Sequence, residues 1–152
     1  MPHASDRIAA IDIGSNSVRL LLCDVCEDGS LVASHKEIRP TRISQGLAAS
    51  GRLQEEAMER TCQGVAELQK VAQEGGAQRV LCYATSAVRD ADNRDDFIRL
   101  VHKRTSCLVD VLTEEQEAQA GYAGVQATGP RAVLDIGGGS SEIALGTGTV
   151  PE

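Results

Sequence analysis

Two stretches of this chain place an aspartate directly ahead of a turn of small residues. The first reads Asp12, Ile13, Gly14, Ser15, Asn16, Ser17. The second reads Asp135, Ile136, Gly137, Gly138, Gly139, Ser140, Ser141, Glu142. Each follows one apolar run and precedes another, so each reads as strand, tight turn, strand. Backbone N–H groups in a Gly- and Ser-rich turn can converge on an anion, because no large side chain holds the anion off. A carboxylate at the strand end stands where a divalent metal or its water can be met. Asp12 and Asp135 could simply start turns, as Asp often does. The repeat of Asp-Ile-Gly-x-x-Ser at 12 and 135 favours a metal or phosphate role instead. The chemistry such a pair of turns can do is phosphoryl transfer. A phosphate is held between the turns, and its charge is neutralised by backbone amides and by a metal on carboxylates.

Two further residues could take part. Glu117 lies with Glu114 and Glu115 in the first turns of a helix. Stabilisation of the helix dipole accounts for all three from the sequence alone, and a general base is the alternative. Arg89 follows Thr85-Ser86-Ala87-Val88 and precedes Asp90 and Asp92. Both a surface ion pair and a planar guanidinium on phosphate oxygens fit it.

The elements that must position these residues can be read in order. Residues 1–6 read as a mobile leader. Strands over 8–12, 17–25 and 31–38 form an antiparallel meander, with a hairpin signal at Glu27-Asp28-Gly29-Ser30. Residues 40–51 read as loop. A long helix over 53–73 repeats Met58, Cys62, Val65, Leu68 and Ala72 on one face and ends at Gly75-Gly76. A strand over 79–84 leads through a polar connection, 85–94, to a helix over 94–105. A strand over 108–112 precedes a helix from the capping box Thr113-Glu114-Glu115-Gln116 to about residue 125. Thr128-Gly129-Pro130 breaks it, and strands over 132–136 and 141–145 flank the second turn. The order βββαβαβα predicts an α/β fold, a mixed five-stranded sheet covered by helices, in a lobe over 1–126. The final pair of strands repeats the opening pair, so 127–152 reads as the start of a second, truncated lobe. The edges of those strands are expected to be satisfied by pairing with the first lobe, by another chain, or by disorder.

Composition narrows the partners. A net charge of −7 argues against a general nucleic-acid or anionic-membrane surface. With 2% aromatic residues and no Trp, stacking platforms for single strands are not expected. No apolar run approaches the roughly 20 residues of a membrane helix. Five scattered Cys, an odd number, read as reduced buried thiols of a cytoplasmic protein, and a lone Cys23-x-x-Cys26 is weak evidence for a metal. Carboxylate-rich sites favour Mg²⁺, Mn²⁺ or Ca²⁺ over Zn²⁺.

Four stretches, IDIGSNSVRLLL, ATSAVRDADNRDDF, LTEEQEAQAGYAGV and DIGGGSSE, together resemble the signatures of the exopolyphosphatase / guanosine pentaphosphate phosphohydrolase (Ppx/GppA) family, over about residues 8–145. That family belongs to the actin-like, Hsp70-like and sugar-kinase superfamily. The resemblance implies two ribonuclease-H-like lobes with the active site in the cleft between them. It implies release of terminal phosphate from inorganic polyphosphate or from pppGpp with a divalent metal, and a homodimer for the complete protein. It assigns phosphate binding to Gly14, Ser15, Asn16, Ser17, Gly137, Gly138, Gly139, Ser140 and Ser141. It makes Glu117 the catalytic glutamate and sets Arg89 on the substrate phosphates. Asp135 and Glu142 fall near the metal and the attacking water, with Asp12 as a further metal ligand. Gln119 stands where the family has Arg, and Gln116 where it has Glu. Two rival readings remain from the sequence. One is an ATP-binding kinase- or chaperone-like module. The other is a non-catalytic sensor of phosphate-rich ligands, for which Gln116 and Gln119 are the only support. The 152-residue stretch by itself is expected to be weakly active or inactive.

Overall fold

The computed structural model describes residues 4–125 and 129–148. Three strands, β1 (Ala4–Ile13), β2 (Ser17–Cys26) and β3 (Leu31–Pro40), form the antiparallel meander. β4 (Arg79–Ala84) then pairs parallel to β1, and β5 (Val109–Val111) parallel to β4. The sheet order is β3-β2-β1-β4-β5, so the first strand is central. Alternation along β1 decides what each face sees. Ala9, Ile11 and Ile13 are fully buried in the core, and Asp12 points to the other face at the strand's end.

Two helices cover the core face. α2 (Glu55–Glu74) buries Cys62, Val65, Leu68 and Ala72, the stripe expected from helical spacing. α4 (Arg94–Thr105) adds Phe97 and Val101. The end of α2 sits tightly on β2: a Cβ on Gly75 would come within 2.7 Å of Leu22 Cδ2. Gly76, at φ +81°, then turns the chain towards β4 in a conformation that favours glycine.

The structure extends or corrects several expectations. Residues 4–6 are not a leader but continue β1, because Ala4 and Asp6 pair with Cys26 and Val25; residues 1–3 lie outside the described residues. The stretch 40–51 contains a short helix, α1 (Leu47–Ser50), closed at each end by a left-handed glycine, Gly46 and Gly51. The polar connection after β4 contains another, α3 (Ser86–Arg89). It forms because Ala87 and Val88 reach the core while Val88 and Arg89 both donate their N–H to Thr85 O, at 3.0 Å. All five cysteines are free and buried, as expected.

After α5 (Glu114–Gly124) the chain enters β6 (Arg131–Ile136) and β7 (Ser141–Gly146). They form a separate two-stranded sheet, so pairing with the first lobe does not occur among the described residues. The hairpin lies against α5, where Ala144 is buried and the Arg131 guanidinium sits 4.1 Å over the fully buried Tyr122 ring. Leu134, Ile136, Ile143 and Leu145 remain exposed.

Phe97 is 0% exposed where α4 meets the sheet. Its replacement by Ala should cost about 3–5 kcal/mol of stability. Urea unfolding should show this as a lower midpoint with an unchanged slope.

Candidate functional site

The first turn hangs from the end of β1. Gly14 N–H donates to Ser17 O at 3.0 Å and closes the turn. The carbonyls of its two middle residues are engaged from behind by the segment after β3. Thr41 and Arg42 donate their N–H to Asn16 O at 3.0 and 2.9 Å. Ser44 donates its N–H and its hydroxyl to Ser15 O at 3.2 and 3.1 Å. These bonds fix the turn's orientation and account for Arg42 at φ 51°, a strained conformation held by its surroundings.

The second turn repeats this geometry: Gly137 N–H donates to Ser140 O at 2.9 Å. The echo in sequence is therefore an echo in structure. The two turns touch. A Cβ on Gly138 would fall 2.4 Å from Asn16 Nδ2, and one on Gly139 would fall 2.5 Å from Ser15 Oγ. The open space lies beside this contact, in a cavity of about 490 Å³. Asp12, Gly14, Ser15, Asn16, Ser17, Glu117, Asp135, Gly137, Gly138, Ser140 and Glu142 all line it. Gly139, Ser141 and Arg89 do not. Gly139 packs on the first turn, Ser141 opens β7 opposite Ile136, and Arg89 stands behind Glu117.

The α5 N-terminus delivers Glu117. The capping box forms as read: Gln116 N–H donates to Thr113 Oγ1 at 3.2 Å, and Thr113 N–H to Gln116 Oε1 at 2.9 Å. Glu114 and Glu115 point to solvent, whereas Glu117 turns inward with its side chain 12% exposed. Helix-dipole stabilisation alone does not account for that position. Arg89 Nη1 donates to Glu117 Oε2 and also to Leu112 O, the latter at 2.9 Å. Arg89 thus neither forms a surface ion pair alone nor lines the cavity: it holds the glutamate. Burial pushes the Glu117 carboxyl up, Arg89 opposes this in part, and Glu142 and Asp12 add to the rise.

The remaining carboxylates are crowded. Asp135 and Glu142 lie directly opposite each other in the β6–β7 register, so their side chains share one face. Burial raises the Asp12 pKa; Arg19 across the β1–β2 ladder lowers it, and Asp135 raises it further. Among the described residues no group of three or more His, Cys, Asp or Glu stands close enough to hold a metal ion by itself. Two opposed carboxylates beside this cavity still suit a hard cation of the kind that takes one or two protein carboxylates and completes its shell with water and other oxygen donors.

Arg19, Tyr83, Thr85 and Ser86 also line the cavity and were not singled out from the sequence. Arg19 could have been found, since pairing the strands on either side of the first turn sets it opposite Asp12. Thr85 and Ser86 could not, because only the β1–β4 pairing brings them to that edge.

The family model described as Ppx/GppA phosphatase family matches residues 24–152. "Exopolyphosphatase 2" of Mycobacterium tuberculosis is 38% identical over 156 residues, covering 94% of this chain and 49% of that protein. "Exopolyphosphatase 1" of Mycobacterium bovis is 30% identical over 151 residues, covering 96% of this chain and 44% of that protein. The crystal structure of the Aquifex aeolicus Ppx/GppA family member superposes with a TM-score of 0.85 at 36% identity, covering 97% of this chain and 49% of that one. The chain thus spans about half the length of the curated relatives it matches. Its five-stranded sheet and helices have the ribonuclease-H-like, actin-like fold of these structures.

The raised Asp12 pKa has a sign that can be checked. A carboxyl whose pKa rises on folding binds its proton more tightly in the folded state, so it costs stability as pH climbs from the unfolded value, about 3.9, through the folded one. Asp12→Asn should therefore gain stability relative to the parent across that window and level off above it. Urea unfolding at stepped pH with EDTA present measures this; a constant difference across the series would contradict it.

Proposed function

The chain belongs to the Ppx/GppA phosphatase family, and from that premise we propose that its two turns and the Glu117 carboxylate form one wall of a site that hydrolyses terminal phosphate from inorganic polyphosphate. The observation that carries this reading is the convergence of both Gly-rich turns and four carboxylates on one cavity. Backbone N–H groups of the turns take the oxygens of the terminal phosphoryl group, whose charge grows over its equatorial oxygens as the bond to the leaving phosphate breaks. Glu117 orients a water in line with that bond and takes its proton. A carboxyl raised by burial is suited to this, because its basicity lies nearer neutral pH. Arg89 acts on the glutamate rather than on the phosphate: its bonds to Glu117 and Leu112 O keep the carboxylate aimed into the cavity.

A divalent cation fits the donor set, Mg²⁺ first and Mn²⁺ or Ca²⁺ next. Asp135 and Glu142 would hold it, with Asp12 at the adjacent strand end, and it would supply neutralisation of phosphate charge. The crowding of these carboxylates supports that assignment. The same site can accept the 5′-triphosphate of pppGpp, whose terminal anhydride is chemically alike. Subunit pairing and a cytoplasmic location belong to the same reading; the five buried, unpaired cysteines suit the latter.

Phosphate release from polyphosphate by the native protein should depend on Mg²⁺ and stop with EDTA. Glu117→Gln should lower kcat by about 10²–10⁴-fold in a protein that still folds cooperatively. Near-normal turnover in that variant would remove Glu117 from the mechanism. Release from pppGpp but not from polyphosphate would move the substrate, and release from neither would favour the nucleotide-binding rival.

A further inference from the structure

Three segments that are far apart in sequence meet at a pair of buried hydroxyls. Ser15 comes from the first turn and Ser86 opens α3; their Oγ atoms lie 3.3 Å apart, and the residues are 4% and 3% exposed. Gly139, from the second turn, rests directly on the pair. A Cβ there would fall 2.5 Å from Ser15 Oγ and 2.7 Å from Ser86 Oγ, so only a Cα–H fits. An ordinary satisfied pair of core hydroxyls would be covered by core side chains. This pair is covered by an exposed Gly-rich turn that has no core side chain to contribute. Ser86 also begins the four-residue helix that ends in Arg89, the residue that holds Glu117. The Ser86 hydroxyl thus stands between the contact of the two turns and the element that aims the glutamate.

We infer that Ser86 is a positioning residue: its hydroxyl, paired with that of Ser15, seats Gly139 and so fixes the second turn against the first and in register with the Arg89–Glu117 pair. The seat itself is a property of the fold. Its effect on turnover rests on the hydrolase reading proposed above. Removing the Ser86 hydroxyl leaves the amides of the first turn intact, so phosphate keeps one of its two backbone cradles. What shifts is the alignment of the second turn with the attacking water, and a displacement of this kind acts on the chemical step rather than on binding.

The experiment compares the parent with Ser86→Ala, Gly139→Ala and the double variant. Amide hydrogen exchange over residues 137–141 reads the seat without any ligand. Steady-state phosphate release from tripolyphosphate reads its consequence in the native protein. Exchange in that segment should quicken about tenfold in each single variant, and the double variant should be no faster than the quicker single one, because both disturb the same contact, one by deleting the hydroxyl and the other by crowding it. In turnover, kcat should fall about ten- to a hundredfold, with KM within about threefold of the parent. Gly139→Ala lies on an exposed turn and keeps the test alive if Ser86→Ala does not fold. Unchanged exchange in the folded variants, summed effects in the double variant, or unchanged kcat in a protein that does hydrolyse would each overturn the inference. Quickened exchange in a parent that releases no phosphate would leave the seat standing and reject the hydrolase reading instead.

Discussion

Three parallel strands end at one edge, and the site is whatever follows them. Ile13, Ala84 and Val111 are register partners in turn across β1, β4 and β5. The ladder continues one step past the strands: Thr85 N–H donates to Ile13 O at 3.3 Å, and Leu112 N–H to Ala84 O at 2.9 Å. The residues next in the chain are therefore delivered together. They are the first turn after β1, Ser86 and Arg89 after β4, and the capped start of α5 after β5. The carboxyl ends of parallel strands are the common location of ligand clefts in open α/β sheets, for this geometric reason. The second turn is the one part of the site brought by a different sheet, and it must be docked by contact rather than by register.

Charge sets the second constraint. Glu117, Asp12, Asp135 and Glu142 face one cavity in a protein of net charge −7. Burial raises the pKa of both Glu117 and Asp12, and the neighbouring carboxylates add to the rise. Arg89 answers only Glu117 among them, from a position 16% exposed, and it also donates to Leu112 O and ion-pairs with Asp90. Burial lowers its own pKa, and Glu117, with Asp90 and Glu114, turns this into a net rise. The remaining three carboxylates have Arg19 nearby, opposite Asp12. Under the hydrolase reading proposed above, this concentration of negative charge would be balanced by a cation arriving with the anionic substrate. This is the physical case for a divalent metal.

Much of the fold was legible because it is local. Period-two and period-3.6 patterns located β4, α4 and the α2 stripe, and the Thr113–Gln116 cap marked the start of α5 within a residue. What failed was set by pairing at a distance. The polar start of β1 is a strand only because Val25 and Cys26 are beside it. The α3 turn forms because Ala87 and Val88 have a core to enter. The site divides in the same way. Both turns announced themselves by composition and repetition. That Arg89 serves Glu117 depends on strand register, and that the turns touch with Ser86 beneath Gly139 depends on the docking of a separate hairpin; the order of residues displays neither.

The two departures from the family pattern can now be weighed by where they lie. Gln116 is consumed by the cap, with its side-chain carbonyl accepting from Thr113 N–H, a task that a glutamate performs equally well. Gln119 reaches along the outer face of α5 and donates to Glu115 Oε1 at 3.3 Å. Neither lines the cavity, and the inward side of the same helix carries Glu117, Ala120 and Gly121. The non-catalytic sensor was supported by these two positions alone. Both lie outside the cavity lining, one in the cap and one on the outer face of α5.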